Sequence, residues 1–329
     1  MRDASPAFRH DPRVSTSREP IASALAHRLP ADFVRRRQAR EEGHTRHIFR
    51  PLHRFFHVDG PVSLHACVRT TLRLSLLYRR GLANATRIAV RENELRLPGL
   101  PAAFDGFTIL QLTDLHADGN AAAMDALERV LEELRYDHCV LTGDYRSLSW
   151  GPVEPVLARM RTIAARLRPP VHGVLGNHDS IDMLPALEAM GIAMLMNESI
   201  ALERDGQRIH LAGIDDAHYF GTHDFAAARA GIPDGAVSIL LSHSPETYAG
   251  AEAAGFDAML SGHTHGGQIC LPGGVPVILQ TRGLPRRFGS GPWRHGRLTG
   301  FTSRGAGTSL VHVRFNCPAE VVLHRLRRL

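Results

Sequence analysis

The stretch FTILQLTDLH, residues 107–116, is a short apolar run that ends in Asp114 and His116. Its length and its lack of Gly and Pro predict a β-strand over 107–113. A helical pattern follows at about 121–135, which is the order of one unit of an α/β domain. A single Asp after a strand is most often a helix cap, so the rest of the chain has to show what these two polar side chains do.

The alternation of strands and helices continues along the chain. Strands are predicted at 138–143, 171–176, 237–243 and 257–262, and helices at about 153–167, 181–190 and 245–254. A hairpin is predicted over 200–214 with its turn at Asp205-Gly206, and closing strands are predicted in 300–315 and 320–328. This order predicts an α/β fold in which helices cover both sheet faces.

Polar groups with metal-binding chemistry follow five of the predicted strands. They stand in the motifs DLH (114–116), GDYR (143–146), GNHD (176–179), SH (242–243) and GHTH (262–265). Ligands gather beyond the carboxyl ends of strands in open α/β sheets, so we expect the five motifs to converge. Their carboxylate, amide and imidazole groups suit two adjacent divalent metals. No cysteine joins them, which disfavours a structural zinc site.

The motif GHTH lies within LSGHTHGGQIC, residues 260–270, and places His263 and His265 one residue apart. On a strand both rings would face the same side, and the neighbouring glycines leave room around them. Taken alone, two histidines in a glycine-rich loop are more often ordinary surface residues than ligands. The prediction of a metal site therefore depends on all five motifs together.

Composition and charge limit the class of protein. Hydrophobic residues make up 43% of the chain and charged residues 22%, as in globular proteins. No spanning helix and no secretory signal is predicted, and the four cysteines are scattered, so a cytoplasmic location is expected. All 39 basic residues are arginine, and the net charge is +6.

The positive charge is confined to the first part of the chain. Residues 1–60 hold twelve arginines and seven acids, and residues 61–91 hold six arginines and no acid, so residues 1–91 carry +11 and the remainder carries 6 − 11 = −5. The acidic remainder suits cations and argues against a nucleic-acid groove. In the basic part, short helices are predicted around 20–28 and 31–42, and an amphipathic helix over 62–80. That last helix either packs on the main domain or lies on anionic lipid.

The five motifs, in this order, resemble those of the calcineurin-like metallophosphoesterases. The stretches LPGLPAAFDGFTILQLTDLH, GHTHGGQ and SRGAGTSLVHVRFNCPAEVVL are similar to a bacterial branch that includes the phosphodiesterase YaeI, YkuE and the LpxG-type UDP-2,3-diacylglucosamine hydrolases. The resemblance covers about residues 95–329 and implies a four-layer α-β-β-α sandwich there. The chain then divides into a basic, largely irregular extension (1–60), an amphipathic helix with a linker (61–94) and the phosphoesterase domain (95–329).

The resemblance also implies roles for individual residues. One metal is expected to take Asp114, His116, Asp144 and His265, and the other Asp144, Asn177, His243 and His263, so that Asp144 bridges the two. His178 is expected to face the substrate without binding metal, with Asp179 orienting it. The metals are expected to be manganese, iron or zinc.

Some residues near the motifs have no fixed role in this reading. Many family members have a further acid shortly after the Asp of GD, whereas here Tyr145, Arg146 and Ser147 follow Asp144. Arg146 either contacts the substrate phosphate or is a solvated loop residue. Loops that border the site are expected to contain Asp118, Asp215, Asp216 and His218.

The reaction implied by the resemblance is hydrolysis of a phosphodiester or pyrophosphate by a hydroxide that bridges two metals, with His178 stabilising charge or protonating the leaving oxygen. A lipid-linked substrate such as UDP-2,3-diacylglucosamine is one candidate, and a soluble phosphodiester such as a cyclic nucleotide is the other. A lipid-linked substrate would place the protein on the inner face of the cytoplasmic membrane, held by residues 1–91. A non-catalytic binding protein is a third reading, disfavoured because no expected ligand is missing. No nucleic-acid partner is expected.

Overall fold

The computed structural model describes residues 19–48, 64–279, 281, 283–309 and 311–329. Its α-helices are α1 (Glu19–Arg28), α2 (Ala31–Ile48), α3 (Leu64–Leu74), α4 (Tyr78–Ala85), α5 (Ala121–Glu133), α6 (Glu154–Ala164), α7 (Leu184–Ala189), α8 (Phe225–Arg229) and α9 (Tyr248–Ala253). Its strands are β1 (Ile88–Leu97), β2 (Thr108–Leu112), β3 (His138–Leu141), β4 (Val171–Gly173), β5 (Ala193–Met194), β6 (Glu198–Arg204), β7 (Gln207–Gly213), β8 (Ser238–Leu241), β9 (Ala258–Ser261), β10 (Cys270–Leu271), β11 (Val275–Pro276), β12 (Gly291–His295), β13 (Leu298–Thr302) and β14 (Ala319–Arg328).

Two six-stranded sheets form the centre of the molecule. The first has the order β1-β14-β2-β3-β4-β5, and the second has the order β12-β13-β9-β8-β7-β6. Strands β2 to β5 are parallel in the first sheet, and β13, β9, β8 and β7 are parallel in the second. The carboxyl ends of these parallel strands carry the five polar motifs.

Three apolar cores separate four layers. One core lies between the first sheet and helices α1, α2, α5, α6 and α7, and includes Phe33 and Met124. A second lies between the two sheets and includes Phe104 and Leu241. A third lies between the second sheet and helices α8 and α9, and includes Phe256. The predicted α-β-β-α sandwich is therefore confirmed.

Most of the predicted elements between residues 107 and 261 are present with shorter bounds. The helices expected at 181–190 and 245–254 each begin with a 3-10 turn, Ile181–Met183 and Pro245–Thr247. The closing strand predicted over 300–315 is wrong beyond Thr302. After it the backbone N–H of Gly307 donates to the carbonyl of Asp114 at 2.9 Å, so this segment closes over the β2 loop instead of continuing the sheet.

The described part of the basic extension is more regular than predicted. The two short helices are confirmed as α1 and α2, and Leu25, Phe33 and Ile48 are buried, so 19–48 is a packed helical pair and not irregular chain. Arg28 at the end of α1 forms ion pairs with Glu188 and Glu198. The predictions for 1–18 and 49–63 lie outside the described residues.

The helix predicted over 62–80 is interrupted. Leu76 has a φ of +61°, a left-handed conformation that an α-helix cannot accommodate, and it separates α3 from α4. Strand β1 then pairs in parallel with β14 along its whole length, so the expected boundary at residue 95 falls inside a strand. The division into domains stays a prediction. None of the helices in the described ranges is long and apolar enough to cross a bilayer.

Candidate metal centre

The loops after five parallel strands bring the seven predicted ligands together. Asp114 and His116 follow β2, Asp144 follows β3, Asn177 follows β4, His243 follows β8, and His263 and His265 follow β9. The donor atoms of the six histidines and aspartates form two groups: one contains Asp114, His116 and His265, and the other contains Asp144, His243 and His263. His263 and His265 thus belong to different groups. Both residues lie in the turn beyond β9, which ends at Ser261, and not on a strand. Their rings therefore do not share one strand face, as the one-residue spacing would predict for a strand.

The first group is held by two imidazoles and a carboxylate. Nε2 of His116 lies 2.9 Å from Nε2 of His265, and Nε2 of His265 lies 3.4 Å from Oδ1 of Asp114. The Oδ2 of Asp144 is 3.9 Å from Nε2 of His116, which links this group to the second. Ligand atoms about 2.0–2.2 Å from one metal lie roughly 3–3.5 Å from each other, so these spacings fit a shared ion.

The second group centres on His243. Its Nδ1–H donates to the carbonyl of Thr142 at 2.8 Å, and its Nε2 faces Oδ1 of Asn177 at 2.9 Å and Oδ2 of Asp144 at 3.2 Å. A neutral ring with its proton on Nδ1 would place a lone pair against two oxygens. A positive charge must therefore lie between Nε2 and these oxygens, either a proton or a metal ion.

The pKa values in the metal-free centre express the same requirement. Burial alone would lower the pKa of His243, but the Asp144 carboxylate raises it to about 10. Burial raises the pKa of Asp114 to about 7, and the nearby charge of Asp144 adds to this effect. Burial lowers the pKa of His263 well below its ordinary value, so this imidazole is neutral and ready to bind a cation.

His263 provides an independent test of whether the site fits metal. Its Nδ1 and Nε2 are both buried, and neither has a hydrogen-bond partner among the described residues. Buried polar atoms are normally satisfied by a partner, so an imidazole with two unsatisfied nitrogens beside Asp144 and His243 fits the role of a metal ligand.

Backbone strain is concentrated at these same residues. Of ten non-glycine residues with positive φ in the described chain, five are candidate ligands: Asp114, His116, Asp144, His263 and His265. Such conformations are uncommon for residues with a Cβ and cluster at functional sites. They turn each side chain away from the sheet toward the shared centre.

Glycines beside the ligands provide the space that this arrangement needs. A Cβ on Gly176 would lie 2.2 Å from Oδ1 of Asp144, and a Cβ on Gly262 would lie 2.3 Å from Oδ2 of Asp114. These distances are far below van der Waals contact. The glycines of GNHD and GHTH are therefore required because the two candidate ligand carboxylates press directly against their α-carbons.

His178 and Asp179 lie beside the centre in different roles. The N–H of His178 donates to Oδ1 of Asp144 at 2.9 Å, and its Nε2 is 4.0 Å from Oδ2 of the same carboxylate. The carboxylate of Asp179 accepts hydrogen bonds from the N–H groups of Gly176, Asp144 and Tyr145. Asp179 thus fixes the loop that carries Asp144, and its expected orienting of His178 stays a prediction.

The bordering residues mainly hold loops in place. Arg146 is buried, not solvated, and its carbonyl accepts a hydrogen bond from Nδ1 of His116 at 2.7 Å, which leaves Nε2 free for metal. Asp118 accepts from the N–H of Ser147 at 2.7 Å. The carboxylate of Asp216 accepts hydrogen bonds from the N–H groups of the loop that follows it.

His218 lies closer to the centre than expected from its loop position. Its ring centroid is 4.2 Å from that of His263, and its Nδ1 is 2.9 Å from Oε2 of Glu246. His218, Glu246 and His263 form a third group of closely spaced donor atoms. Nothing in the sequence pattern distinguishes Glu246 as part of this border.

Helix α2 contributes residues to the site that the motifs did not reveal. Arg37 is fully buried, and its Nη2 donates to the carbonyl of Asp179 at 3.0 Å. Glu41 accepts from Ser180 Oγ at 2.7 Å and from the N–H of Ile181 at 2.8 Å. The ring of His44 stacks on that of Tyr219 with 4.2 Å between the ring centroids. The ring centroid of Tyr219 lies 6.2 Å from that of His178.

Arg314 is another residue near the site that belongs to none of the five motifs. It is fully buried, and its Nη2 donates to the carbonyls of Arg304, Gly305 and Gly307, at 2.7, 3.1 and 2.7 Å. These carbonyls belong to the loop that closes over Asp114. The only signal in the sequence is the glycine-rich stretch SRGAG, whose close packing against Asp114 becomes visible only in the fold.

Comparison with known proteins agrees with this geometry. A family model described as calcineurin-like phosphoesterase matches residues 107–267. Phosphodiesterase YaeI of Escherichia coli (strain K12) is 28% identical over 235 residues, which is 67% of this chain and 82% of that protein. The uncharacterized metallophosphoesterase YkuE of Bacillus subtilis (strain 168) is 28% identical over 254 residues, covering 73% of this chain and 86% of YkuE. The uncharacterized protein YpbG of the same organism is 32% identical over 229 residues, which is 65% of this chain and 78% of YpbG.

The fold, the clustered histidines and carboxylates, and these relatives define a metal-dependent phosphoester hydrolase. Within that class, the chain belongs to the calcineurin-like phosphoesterase family, as the motifs predicted. The family binds divalent metals, and the two groups of donor atoms are the candidate ligands here. The assignment of each residue to a particular metal stays a prediction.

Proposed function

We propose that the protein hydrolyses phosphodiesters or pyrophosphates with two divalent ions. Asp114, His116, Asp144 and His265 would hold one, and Asp144, Asn177, His243 and His263 the other. The observation that carries the proposal is the Nε2 of His243, which lies between two oxygens, 2.9 Å from Asn177 and 3.2 Å from Asp144. Two bound divalent ions would neutralise phosphoryl charge and lower the pKa of coordinated water toward about 7.

The protein's own residues would provide orientation and proton transfer. His178 lies near the shared carboxylate of Asp144, and its ring centroid is 5.3 Å from that of His116. Its position beside both candidate ligand groups supports a role toward a phosphoryl group bound there. We propose that it stabilises developing charge or protonates the leaving oxygen, an effect worth roughly 10²–10⁴ in rate. Asp179 would maintain the geometry of the Asp144 loop.

The proposed substrate is lipid-linked, with UDP-2,3-diacylglucosamine as the leading example. The support is the charge of +11 on residues 1–91, which favours the anionic inner face of the cytoplasmic membrane, where such substrates lie. The second candidate is a soluble phosphodiester such as a cyclic nucleotide. Its support is the relative YaeI, which is named as a phosphodiesterase.

A direct test uses full-length protein loaded with manganese. We expect turnover of bis(p-nitrophenyl) phosphate, and a kcat/KM at least tenfold higher for UDP-2,3-diacylglucosamine in detergent micelles than for cyclic nucleotides. The Asp144→Asn variant is the matched control for both. Failure of the wild-type protein to hydrolyse any of these diesters or the pyrophosphate of UDP-2,3-diacylglucosamine would overturn the proposed reaction. The reverse order of kcat/KM would overturn the lipid-linked substrate.

Removing the N-terminal part is not a suitable test of its role. A truncated protein that begins at Glu94 would lack α1 to α4 and the first six residues of β1, since β1 begins at Ile88. It would expose the first core, to which Leu25, Phe33 and Val34 belong. Surface substitutions in the full chain are the better probe.

A further inference from the structure

Exposed apolar side chains are concentrated in two segments. Nine large hydrophobic side chains are exposed among the described residues, and seven of them belong to these segments. Leu74 ends α3, and Leu76 and Leu77 lie in the turn before α4; Leu74 is 81% and Leu76 is 86% exposed. Leu271, Val275, Val277 and Ile278 lie on and just after the β10–β11 hairpin, each 53–57% exposed. We call these seven residues the apolar rim.

The two segments of the apolar rim rest on the same stretch of chain. The N–H of Arg314 donates to the carbonyl of Gly81 in α4 at 3.1 Å, and the amide of Asn84 donates back to the carbonyl of Arg314 at 2.9 Å. The N–H of Cys270 donates to the carbonyl of Phe315 at 2.9 Å. Residues 314–315 therefore contact both α4 and the hairpin, and the two segments of the rim adjoin these two elements.

The two stretches of sequence that contain the rim are basic and contain no acidic residue. Residues 61–91 contain six arginines and no Asp or Glu, and residues 258–319 contain seven arginines and no Asp or Glu. The seven are at positions 282, 286, 287, 294, 297, 304 and 314. Arg73, Arg79 and Arg80 are exposed beside the first rim segment. Arg286 is exposed beside the second, and its Nη2 donates to the carbonyl of Pro276 at 3.0 Å.

The hairpin also connects the rim to the candidate metal centre. Residues 265–267 form the 3-10 turn that carries His265, and β10 begins three residues later. A cavity of about 220 Å³ lies between this turn and the hairpin, and its lining includes Gly266, Pro276, Arg286, Arg287 and Arg304. Three arginines thus line a space beside the centre.

We infer that the apolar rim and its arginines form a docking surface for an anionic lipid bilayer. Leucine, valine and isoleucine side chains would enter the headgroup region, and the arginines would contact anionic headgroups around them. A nucleic acid would bind the arginines but would leave the exposed aliphatic groups in contact with water. Docking does not depend on the reaction, whereas its use to present a lipid-linked phosphoester to the centre rests on the proposed function.

Vesicle flotation with full-length protein tests the inference. We expect binding to vesicles of phosphatidylglycerol and phosphatidylcholine, release at high salt, and little binding to pure phosphatidylcholine. Val277→Ser combined with Ile278→Ser should lower the partition coefficient about tenfold or more, because two aliphatic groups that would enter the bilayer are lost. Leu74→Ser combined with Leu76→Asn should do the same, and Asn tolerates the left-handed φ of Leu76. The matched control is Val90→Ser, which alters a 45% exposed side chain on β1 outside the rim.

The outcomes separate docking from catalysis. Hydrolysis of bis(p-nitrophenyl) phosphate in solution should be unchanged in the rim variants, which shows that they are folded and that the centre is intact. The inference is overturned if the wild-type protein does not float with anionic vesicles, or if the rim variants float as well as the Val90→Ser control. Binding to heparin or RNA that is equal in wild-type and rim variants, without vesicle binding, would identify a polyanion site and also overturn it. If the wild-type protein binds anionic vesicles but does not hydrolyse the diester, the result counts against the proposed function and still supports docking.

Discussion

The guanidinium of Arg37 in helix α2 lies with its Nε 2.9 Å from Oδ2 of Asp215, and both side chains are fully buried. Asp215 belongs to the loop after β7, and Arg37 also donates to the carbonyl of Asp179 in the GNHD motif. The Cζ atom of Arg37 lies 3.7 Å from the ring centroid of Phe220. Helix α2 is therefore joined by a buried ion pair to one loop that borders the candidate metal centre and by a hydrogen bond to another.

Replacing Arg37 with Met should destabilise the fold strongly. The change leaves the Asp215 carboxylate buried without its charged partner, which costs about 3–5 kcal/mol in the free energy of unfolding. Urea denaturation measures this loss, with Arg40→Met on the exposed face of the same helix as the control. The double variant Arg37→Met/Asp215→Leu should recover part of the loss, because the buried carboxylate of Asp215 is removed, whereas Glu41 still lacks its ion pair with Arg37. A single variant within about 1 kcal/mol of wild type would contradict the structural role assigned to this pair.

Replacing Asp144 with Asn should abolish metal binding at both positions. The Asp144 carboxylate lies 3.2 Å from Nε2 of His243 and 3.9 Å from Nε2 of His116, so it faces both groups of donors. Elemental analysis should find up to two ions per wild-type chain and fewer than one in the variant. Asp118→Asn, in an exposed loop beside the site, is the matched control and should retain the metal. An Asp144→Asn protein with full metal content and full activity would rule out the bridging role.

Replacing His178 with Ala should reduce turnover while leaving the metal content intact. We expect kcat to fall by about 10²–10⁴ with a smaller change in KM, because the side chain acts on the reacting group and not on the ions. Esters with a nitrophenolate leaving group should lose less than alkyl esters, since nitrophenolate needs little protonation. Equal losses for the two kinds of ester would exclude general-acid catalysis by His178.

Metal binding to the metal-free protein should release protons in a pH-dependent way. The pKa of His243 is raised to about 10 by the Asp144 carboxylate against the opposing effect of burial, so this ring is protonated at neutral pH. Ligation requires the neutral imidazole, and binding at pH 8 therefore releases about one proton. The apparent affinity should rise about tenfold per pH unit from 7 to 10.

At lower pH a second proton should join the first. Burial raises the pKa of Asp114 to about 7, so its carboxyl group is increasingly protonated below that pH and must also ionise to bind metal. Calorimetry in two buffers with different ionisation enthalpies measures the number of protons released. A binding heat that is the same in both buffers at pH 8 would show that His243 is already neutral in the metal-free protein.

The sequence by itself determined the α/β order, the family and the convergence of the site. Strand-end motifs carry this information locally, since a short apolar run followed by Asp114 or His243 already specifies a strand and the edge at which it ends. The glycines of GNHD and GHTH are equally readable, because they stand beside the ligands that they accommodate. For the same reason the hairpin turn at Asp205-Gly206 and the helices α1 and α2 could be predicted from neighbouring residues alone.

Only the tertiary structure decided how distant segments complete the site. Arg37 is separated from Asp215 by 178 positions, and no local pattern distinguishes it from the exposed arginines beside it in the run 35–37. Strand β1 depends on pairing with β14 near the other end of the chain. Helix α4, which follows the break at Leu76, packs through Gly81 against Val313 and Phe315, and an added Cβ on Gly81 would lie 2.6 and 2.8 Å from their side chains. Contacts between residues far apart in the sequence decide which side chains are buried and which charges are paired. Local sequence patterns do not show these contacts.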